Sequence, residues 1–235
     1  MNPAVLHTVL LGGVAALDAA PVAQTMLSQP LVIGTVLGFI WGDWVTALEV
    51  AVVLQVIAAS TLPVGARTPE DYAIGGVVGV GLALALASRQ PFIMAREACA
   101  LLGVLGGMLA ATGGVPVLKW QRRRNEGLSR WCEEALRAGD ERALGAAQFA
   151  AIAVAFGVGV AYCAACLTIG VWALDGLVGR ESIRLARAWG LAEPLWLGLG
   201  LAHVLHAFVQ RRLARAAVFG GALIAAWLAL IMGTR

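Results

Sequence analysis

The stretch from Leu31 to Leu86 is almost entirely apolar, and it constrains the fold more than any other part of the chain. It nevertheless keeps a few carboxylates and amides, among them Asp43, Glu49 and Gln55. An aspartate at mid-membrane costs about 2.5–3.5 kcal/mol on insertion scales. Because polar groups kept at this cost usually line a polar pathway, we expect the function to lie in this stretch.

The composition assigns the chain to the membrane proteins. Of its 235 residues, 60% are hydrophobic and only 13% are charged, and the mean hydropathy is +0.83. Soluble domains carry about 25% charged residues. Backbone polar groups in lipid find partners only within helices or closed barrels, and these apolar runs are longer than barrel strands. We therefore predict an all-α integral membrane protein, a multi-span helical bundle with re-entrant or broken helices.

Apolar runs of whole or partial membrane-spanning length recur along the chain. The candidates are residues 4–17, 31–65, 73–88, 91–118, 146–174, 195–209 and 216–232. The run 31–65 is too long for one span and too short for two, and the motif Trp41-Gly42-Asp43-Trp44 interrupts it. We predict a half-span over 31–42 followed by a span over 44–62, a break of the kind that marks transporter binding sites.

Charge distribution predicts sidedness. Residues 119–145 contain seven Lys or Arg and five Asp or Glu, and a second basic cluster lies at 211–215. The positive-inside rule places both on the cytoplasmic side. If all runs except 31–42 are crossings, the N-terminus lies on that side too, and residues 175–194 form a loop on the opposite side.

The same reasoning divides the chain into three regions. They are an N-terminal membrane region over 1–118, a charged cytoplasmic loop over 119–145 and a C-terminal membrane region over 146–235. Residues 121–145 within the loop are typical of an amphipathic helix exposed to water. Its cluster Arg122–Arg124 is interpreted as an anchor near acidic lipid headgroups, in preference to a nucleic-acid contact.

Neither the cysteines nor the histidines indicate a metal or redox site. Cys132 lies in the segment predicted to be cytoplasmic, where thiols stay reduced. Cys163 and Cys166 form a CxxC pair in apolar surroundings, which favours helix packing. On a helix, His203 and His206 would share a face, but no third ligand is near in sequence, so hydrogen-bonded histidines near a helix end are the preferred interpretation. We predict no metal, no cofactor and no catalytic residue.

A series of short motifs over residues 18–80 carries a family resemblance. In order they are Gln24-Thr25-Met26-Leu27-Ser28-Gln29-Pro30-Leu31-Val32, Gly38, Gly42-Asp43, Leu54-Gln55, Val64-Gly65-Ala66 and Pro69-Glu70-Asp71. Their order and spacing resemble those of the membrane subunit IIC of mannose/sorbose-family sugar phosphotransferase systems. Each motif is weak by itself, and the order makes the resemblance specific.

The resemblance implies the permease subunit of a phosphoenolpyruvate-dependent sugar phosphotransferase system. Such a subunit forms the sugar pathway with a second membrane subunit, IID, in an oligomeric complex. Soluble IIA and IIB domains relay phosphate to the hexose or amino sugar as it enters the cell. IIC carries no phosphorylated residue, so no enzymatic activity is implied for this chain alone. We expect a multi-pass protein in the lipid bilayer of a bacterial cytoplasmic membrane, without a nucleic-acid partner.

Four side chains at or near the matching positions are the predicted sugar contacts: Gln24, Asp43, Gln55 and Asp71. Carboxylates and amides supply the donors and acceptors that sugar hydroxyls need. Asp43 has an alternative role as the cap of a helix that begins at Trp44. Asp71, with Arg67 and Glu70, has the alternative of a solvated cytoplasmic turn.

Two positions depart from the family pattern. Gln55 stands where the family usually has Glu, and Gln29 stands where a basic residue or His precedes Pro-Leu. A carboxylate accepts two sugar hydroxyls, whereas an amide mixes donor and acceptor. A non-transporting scaffold or sensor that recruits phosphocarrier proteins is therefore the alternative function. An intramembrane enzyme or metal transporter would have to depend on His203, His206 and the cysteines.

Overall fold

The computed structural model describes residues 3–19, 22, 25–59, 70–90, 95–209, 211, 213–214, 216–222 and 224. Most of them form the helices α1 (Pro3–Ala19), α2 (Pro30–Trp41), α3 (Trp44–Ala59), α4 (Tyr72–Ala87), α5 (Ala95–Arg137) and α6 (Ala143–Phe208). Because these ranges contain no strand, the predicted all-helical fold is confirmed. Two helical stretches, Ala95–Arg137 and Ala143–Ala202, are long and apolar enough to cross a membrane, and α1 to α4 are shorter apolar helices.

Helix α4 is the centre of the bundle. All thirteen residues from Ile74 to Leu86 are buried, and α4 packs against each of the other five helices. A helix that is apolar all round is a buried helix. The absence of a polar stripe in this sequence therefore follows from its surroundings.

Glycines bring α4 and α5 into close contact. Gly75 and Gly79 of α4 face Gly103 and Gly107 of α5, each pair being four residues apart. A Cβ atom on Gly107 would lie 2.7 Å from the carbonyl oxygen of Gly75, and one on Gly103 would lie 2.7 Å from that of Gly79. Lipid provides no hydrophobic drive for helix association, so van der Waals packing of this kind holds the two helices together.

Helices α2 and α3 form the helical hairpin that the sequence predicts. Pro30 is the first residue of α2, where its missing N–H leaves no helical hydrogen bond unmade. Gly42 ends α2 with a φ of +70°, a left-handed conformation that favours glycine. A Cβ atom on Gly34 would collide with the Cβ of Ala51, so the two legs touch along their length. This break and the kink in α6 confirm the prediction of broken helices.

Helix α1 runs antiparallel to the first part of α6. A Cβ on Gly12 would lie 2.7 Å from the Cβ of Cys163, and a Cβ on Gly159 would lie 2.7 Å from that of Ala16. The start of α1 therefore lies at the end of the bundle opposite to the start of α6. The charged part of α5 packs beside the start of α6, so it also lies at the end of the bundle opposite to the start of α1.

The prediction that the N-terminus lies on the same side as residues 119–142 is therefore wrong. The reason is the reach of α2. Its twelve residues span about 18 Å, and at the far end the indole Nε1 of Trp41 donates to Thr8 Oγ1 near the start of α1, at 3.0 Å. Because α2 crosses the bundle between α1 and α3, α1 runs in the opposite sense to the prediction, whereas the helices from α3 onward keep their predicted sense relative to the charged segment.

Helix α6 has two legs joined at a kink. Glu181 has φ −121° and ψ 19°, which breaks the helical geometry there. The second leg runs along α3, since a Cβ on Gly200 would lie 2.5 Å from Val56 Cγ1. The prediction of a loop over 175–194 is wrong, because these residues are helical on both sides of the kink.

The charged segment after residue 118 continues helix α5 without a break to Arg137. It packs on the start of α6 through a small cluster of Cys132, Ala143 and Ala147. Gly139, with a φ of +91°, lies in the turn between the two helices. This part of the molecule is a helical hairpin that extends beyond the main bundle.

Replacing Gly107 by Ala tests the contact between α4 and α5. The added Cβ would lie 2.7 Å from a backbone oxygen, so we expect overpacking to lower the free energy of unfolding by about 1–3 kcal/mol. The matched control is Gly157→Ala in α6, where nothing lies within 4 Å, and where we expect a gain of up to about 1 kcal/mol from helix propensity. Unfolding in detergent measures both values, and equal shifts would contradict the close contact.

Candidate functional site

A buried carboxylate organises the connection between α1 and α2. Asp18, at the end of α1, is only 7% exposed. Its Oδ1 accepts from the backbone N–H and the hydroxyl of Thr25, both at 2.6 Å, and its Oδ2 accepts from the backbone N–H of Ser28 at 2.8 Å. Hydrogen bonds to an ionised acceptor are about twice as strong as neutral ones. Asp18 therefore clamps the turn that leads into α2.

The clamped turn contains a strained residue. Met26 has a φ of +65°, and among the described residues it is the one position other than glycine with a positive φ. Such a conformation persists only when its surroundings over-determine it. The carbonyl oxygen of Met26 accepts from the backbone N–H of Gln29 at 3.1 Å. The turn thereby places Gln29 at the N-cap of α2.

Gln29 and Gln55 form an amide pair at this end of α2. The Nε2 of Gln55 donates to Oε1 of Gln29 at 2.8 Å, and Oε1 of Gln55 accepts from the backbone N–H of Leu31 at 3.2 Å. Gln55 thus satisfies a backbone donor that the first turn of a helix leaves free. The two amide side chains contact each other directly, and the pair carries no charge.

Asp71 caps α4. Its Oδ1 accepts from the backbone N–H of Ile74 at 3.1 Å, and its own N–H donates to the carbonyl oxygen of Ala111 in α5 at 3.0 Å. The carboxylate packs at Gly114, where a Cβ would lie 2.9 Å from the Cβ of Asp71. Asp71 is therefore held between α4 and α5.

A small cavity lies beside Asp71. Its volume is about 30 Å³, and it is lined by residues of α1, α4, α5 and α6, including Tyr162, whose hydroxyl donates to the carbonyl oxygen of Ala110 at 2.9 Å. Ligand pockets measure about 300–1,000 Å³, whereas a water molecule needs only about 10–15 Å³. In this conformation the cavity has room for water but not for a sugar ring.

The structure brings Gln55 and Asp71 to the same end of the bundle. Pro30, next to Gln29, packs on Gly76 of α4, where a Cβ would lie 3.1 Å from the Cα of Pro30. Gly76 is five residues from Asp71, which is about 7.5 Å along a helix. The two predicted site side chains nevertheless have different partners, because Gln55 bonds to the start of α2 and Asp71 bonds between α4 and α5.

Asp43 lies at the other end of the α2–α3 hairpin. Twelve residues of helix, or about 18 Å, separate it from Gln55. Its Oδ2 accepts from the hydroxyl of Thr46 at 2.8 Å and its Oδ1 accepts from the backbone N–H of Thr46 at 3.3 Å, which is the geometry of a helix cap. Arg96 of α5 lies 3.6 Å from the same oxygen. Gln24 and Arg67 lie outside the described residues.

A second acidic group lies in a groove near Asp43. The groove has a volume of about 400 Å³ and lies between α3 and the second leg of α6, where it is lined by Glu49, Glu193, Trp44 and three aliphatic residues of α3. The Oε2 of Glu49 is buried and has no hydrogen-bond partner within the described part of the chain. An unsatisfied acceptor of this kind is rare in proteins, and a donor from outside the chain would satisfy it.

The cysteines pack between helices. All four are free, and Cys163 lies in the contact between α1 and α6, with its Sγ 4.0 Å from the carbonyl oxygen of Thr8. In the ranges that the structure covers, no group of three or more His, Cys, Asp and Glu has the geometry of a metal site. The side chains of His203 and His206 are outside the described residues.

Comparison with known proteins identifies the family and the fold. The family model of the phosphotransferase system sorbose-specific IIC component matches residues 4–233. A solved structure described as a membrane protein is 16% identical, with a TM-score of 0.73, and the alignment covers 100% of this chain and 93% of that chain. The mannose transporter ManYZ in complex with microcin E492 is also 16% identical, with a TM-score of 0.58 and coverage of 97% and 95%. No curated protein matches the sequence.

The family match confirms the resemblance seen in the sequence and extends it from residues 18–80 to nearly the whole chain. At 16% identity, the two solved structures show the fold alone. Sequence reasoning missed Asp18, although the signal was present. A carboxylate at the end of an apolar run, followed by Thr25 and Ser28, offers an acceptor with donors nearby.

Replacing Asp18 by Ala tests the clamp. The change removes three hydrogen bonds to a charged group, so we expect the free energy of unfolding to fall by at least about 2 kcal/mol. Asp18→Asn should have an intermediate effect, since its amide would place a donor against the Ser28 N–H. Unfolding in detergent and limited proteolysis of residues 22–29 are the measurements. The control is Glu141→Ala at an exposed carboxylate, and equal effects of Asp18→Ala and Glu141→Ala would refute the clamp.

Proposed function

The chain belongs to the family of sorbose-specific IIC components of the phosphotransferase system, and from this premise we propose that it forms the sugar translocation pathway together with a IID membrane subunit. In this proposal soluble IIA and IIB domains supply the phosphate, and the chain carries no phosphorylated residue of its own. The substrate is a hexose or an amino sugar. The complex lies in the cytoplasmic membrane of a bacterium, where the chain is multi-pass.

The observation that carries the proposal is the Gln29–Gln55 amide pair at the start of α2. The pair leaves further amide hydrogens and oxygen lone pairs free, and these match hydroxyl groups, each of which both donates and accepts. The Asp18 clamp holds one member of the pair in place through the Met26 turn. Interrupted helices that present polar groups in an apolar bundle are typical of transporter binding sites.

Gln24, Asp43, Gln55 and Asp71 remain the proposed sugar contacts, and the observations that support them differ from residue to residue. Gln55 lies in the amide pair, and Asp71 lies at the same end of the bundle. A hexose reaches Asp71 only when the surrounding helices separate, because the adjoining cavity measures about 30 Å³. Alternating access requires such movements. Asp43, at the far end of the hairpin, would contact sugar at a different stage of the passage.

One observation favours the alternative function, a non-transporting scaffold or sensor. The side chain of Gln55 already bonds to Gln29 and to the backbone of Leu31, so part of its hydrogen-bonding capacity is used within the chain. A scaffold would retain the fold and its partners without moving sugar. Uptake that appears only after Gln55→Glu would support this alternative, whereas uptake by the natural complex would exclude it.

Asp71→Asn separates a role in sugar binding from a role in folding. Asn caps helices about as well as Asp, so we expect α4 and the stability of the protein to be preserved. We expect uptake to be lost, because the amide replaces one of the two acceptor oxygens with a donor. The measurement is uptake and phosphorylation of a panel of hexoses and amino sugars by vesicles that contain this chain, its IID partner and the soluble domains.

The matched control is Asp140→Asn, which changes an exposed carboxylate in the α5–α6 turn and should leave uptake unchanged. Unchanged uptake by Asp71→Asn would remove Asp71 from the site without affecting the proposal for the pathway. No uptake of any sugar by the natural complex would overturn the transport function itself.

A further inference from the structure

A groove lies between α5 and α6 in the hairpin beyond the main bundle. Its volume is about 320 Å³. The α5 wall presents Arg123, Arg124 and Trp131, and the α6 wall is apolar, formed by Ala150, Ala151 and Val154. None of the described residues that line the groove is acidic. The groove therefore combines positive charge on one wall with an apolar surface on the other.

The arginines have no carboxylate that neutralises them within the groove. Both are exposed, and the described residues provide no salt bridge for either. The guanidinium of Arg124 lies over the ring of Trp120, with its Cζ 5.9 Å from the ring centroid. This cation–π contact orients the side chain while leaving its N–H donors available.

The groove lies where the chain changes from apolar to charged. The apolar part of α5 ends at Leu118, and Lys119, Trp120 and the arginines follow directly. The opposite wall lies in the first apolar turns of α6. Exposed Trp beside Lys and Arg at the end of an apolar helix is typical of the membrane–water interface. Because α5 and α6 run antiparallel, with Cys132 beside Ala143 and Ala147 and Tyr162 beside Ala110, the two walls lie at the same level. A bound molecule would therefore meet basic side chains on one side and apolar side chains on the other.

We propose that this groove binds an anionic phospholipid, with its phosphate at Arg123 and Arg124 and an acyl chain along Ala150, Ala151 and Val154. Guanidinium groups bind phosphate through paired hydrogen bonds. Basic pockets between membrane helices bind anionic headgroups in the same way. A soluble phosphate compound would use the arginines but not the apolar wall, and this wall favours the lipid.

The contribution of the groove's shape can be tested separately from that of its charge. Gly127 lines the groove, and nothing lies within 4 Å of the position of a Cβ atom there. Gly127→Phe would therefore place a ring in open space without a change of charge. A shaped lipid site should lose binding, whereas a site made only of surface charge should not respond.

The experiment is native mass spectrometry of the full-length, detergent-solubilised protein titrated with phosphatidylglycerol, with phosphatidylcholine as the neutral reference. Each basic residue near an anionic surface contributes a factor of about five in affinity. We expect the double variant Arg123→Gln/Arg124→Gln to bind phosphatidylglycerol about 25-fold more weakly than the natural chain. Phosphatidylcholine should bind more weakly than phosphatidylglycerol to the natural chain.

The matched control is Arg130→Gln/Arg137→Gln, which removes the same charge from exposed arginines of α5 outside the groove. Normal affinity in this control, together with weak binding by Gly127→Phe, supports the site. Equal loss in both double variants would overturn the proposal in favour of diffuse surface charge. Displacement of the lipid by soluble glycerol phosphate at the same concentration would overturn it too, since the apolar wall would then contribute nothing. Size-exclusion chromatography confirms that each variant is folded.

Discussion

The close approach of α4 to α5 is the constraint on which the rest of the structure depends. In lipid there is no hydrophobic driving force for helix association, so the helices must be held together by close van der Waals packing. The glycines at 75, 79, 103 and 107 provide it, because any side chain there would meet a neighbouring backbone. The other helices pack around α4, whose residues from Ile74 to Leu86 are buried on all sides.

Polar side chains of the bundle mostly serve helix ends. Asp43 and Asp71 accept from the first backbone N–H groups of α3 and α4, and Gln55 accepts from that of Leu31 in α2. In apolar surroundings these backbone groups have no water to bond with, so a side-chain acceptor offsets the cost of its own burial. A structural role and a proposed role in sugar binding are thus compatible, because a helix cap uses only some of the hydrogen-bond acceptor sites of a carboxylate. Glu49 differs, since its buried oxygen bonds to nothing among the described residues.

Local features of the fold were predictable because their causes are local. The motif Trp41-Gly42-Asp43-Trp44 contains both the glycine that ends α2 and the aspartate that caps α3, so it predicts the hairpin and its turn. Asp18 was not found, because its partners Thr25 and Ser28 lie seven and ten positions away, and Ser28 reaches it only after the left-handed turn at Met26. The helical state of residues 175–194 was also missed, for a reason of composition. Their charges suggest a loop, while the helix continues through them.

The sequence by itself determined the class of protein, the all-helical fold, the family and the helix ends that Gly, Pro and Asp mark. These depend on composition and on interactions between residues close in the chain. Only the tertiary structure decided that α2 crosses to Thr8, that the N-terminus lies opposite the charged hairpin, and that Gln29 meets Gln55. Those outcomes depend on contacts between residues more than twenty positions apart, and hydrophobic periodicity in a nearly uniform apolar sequence does not specify which faces meet.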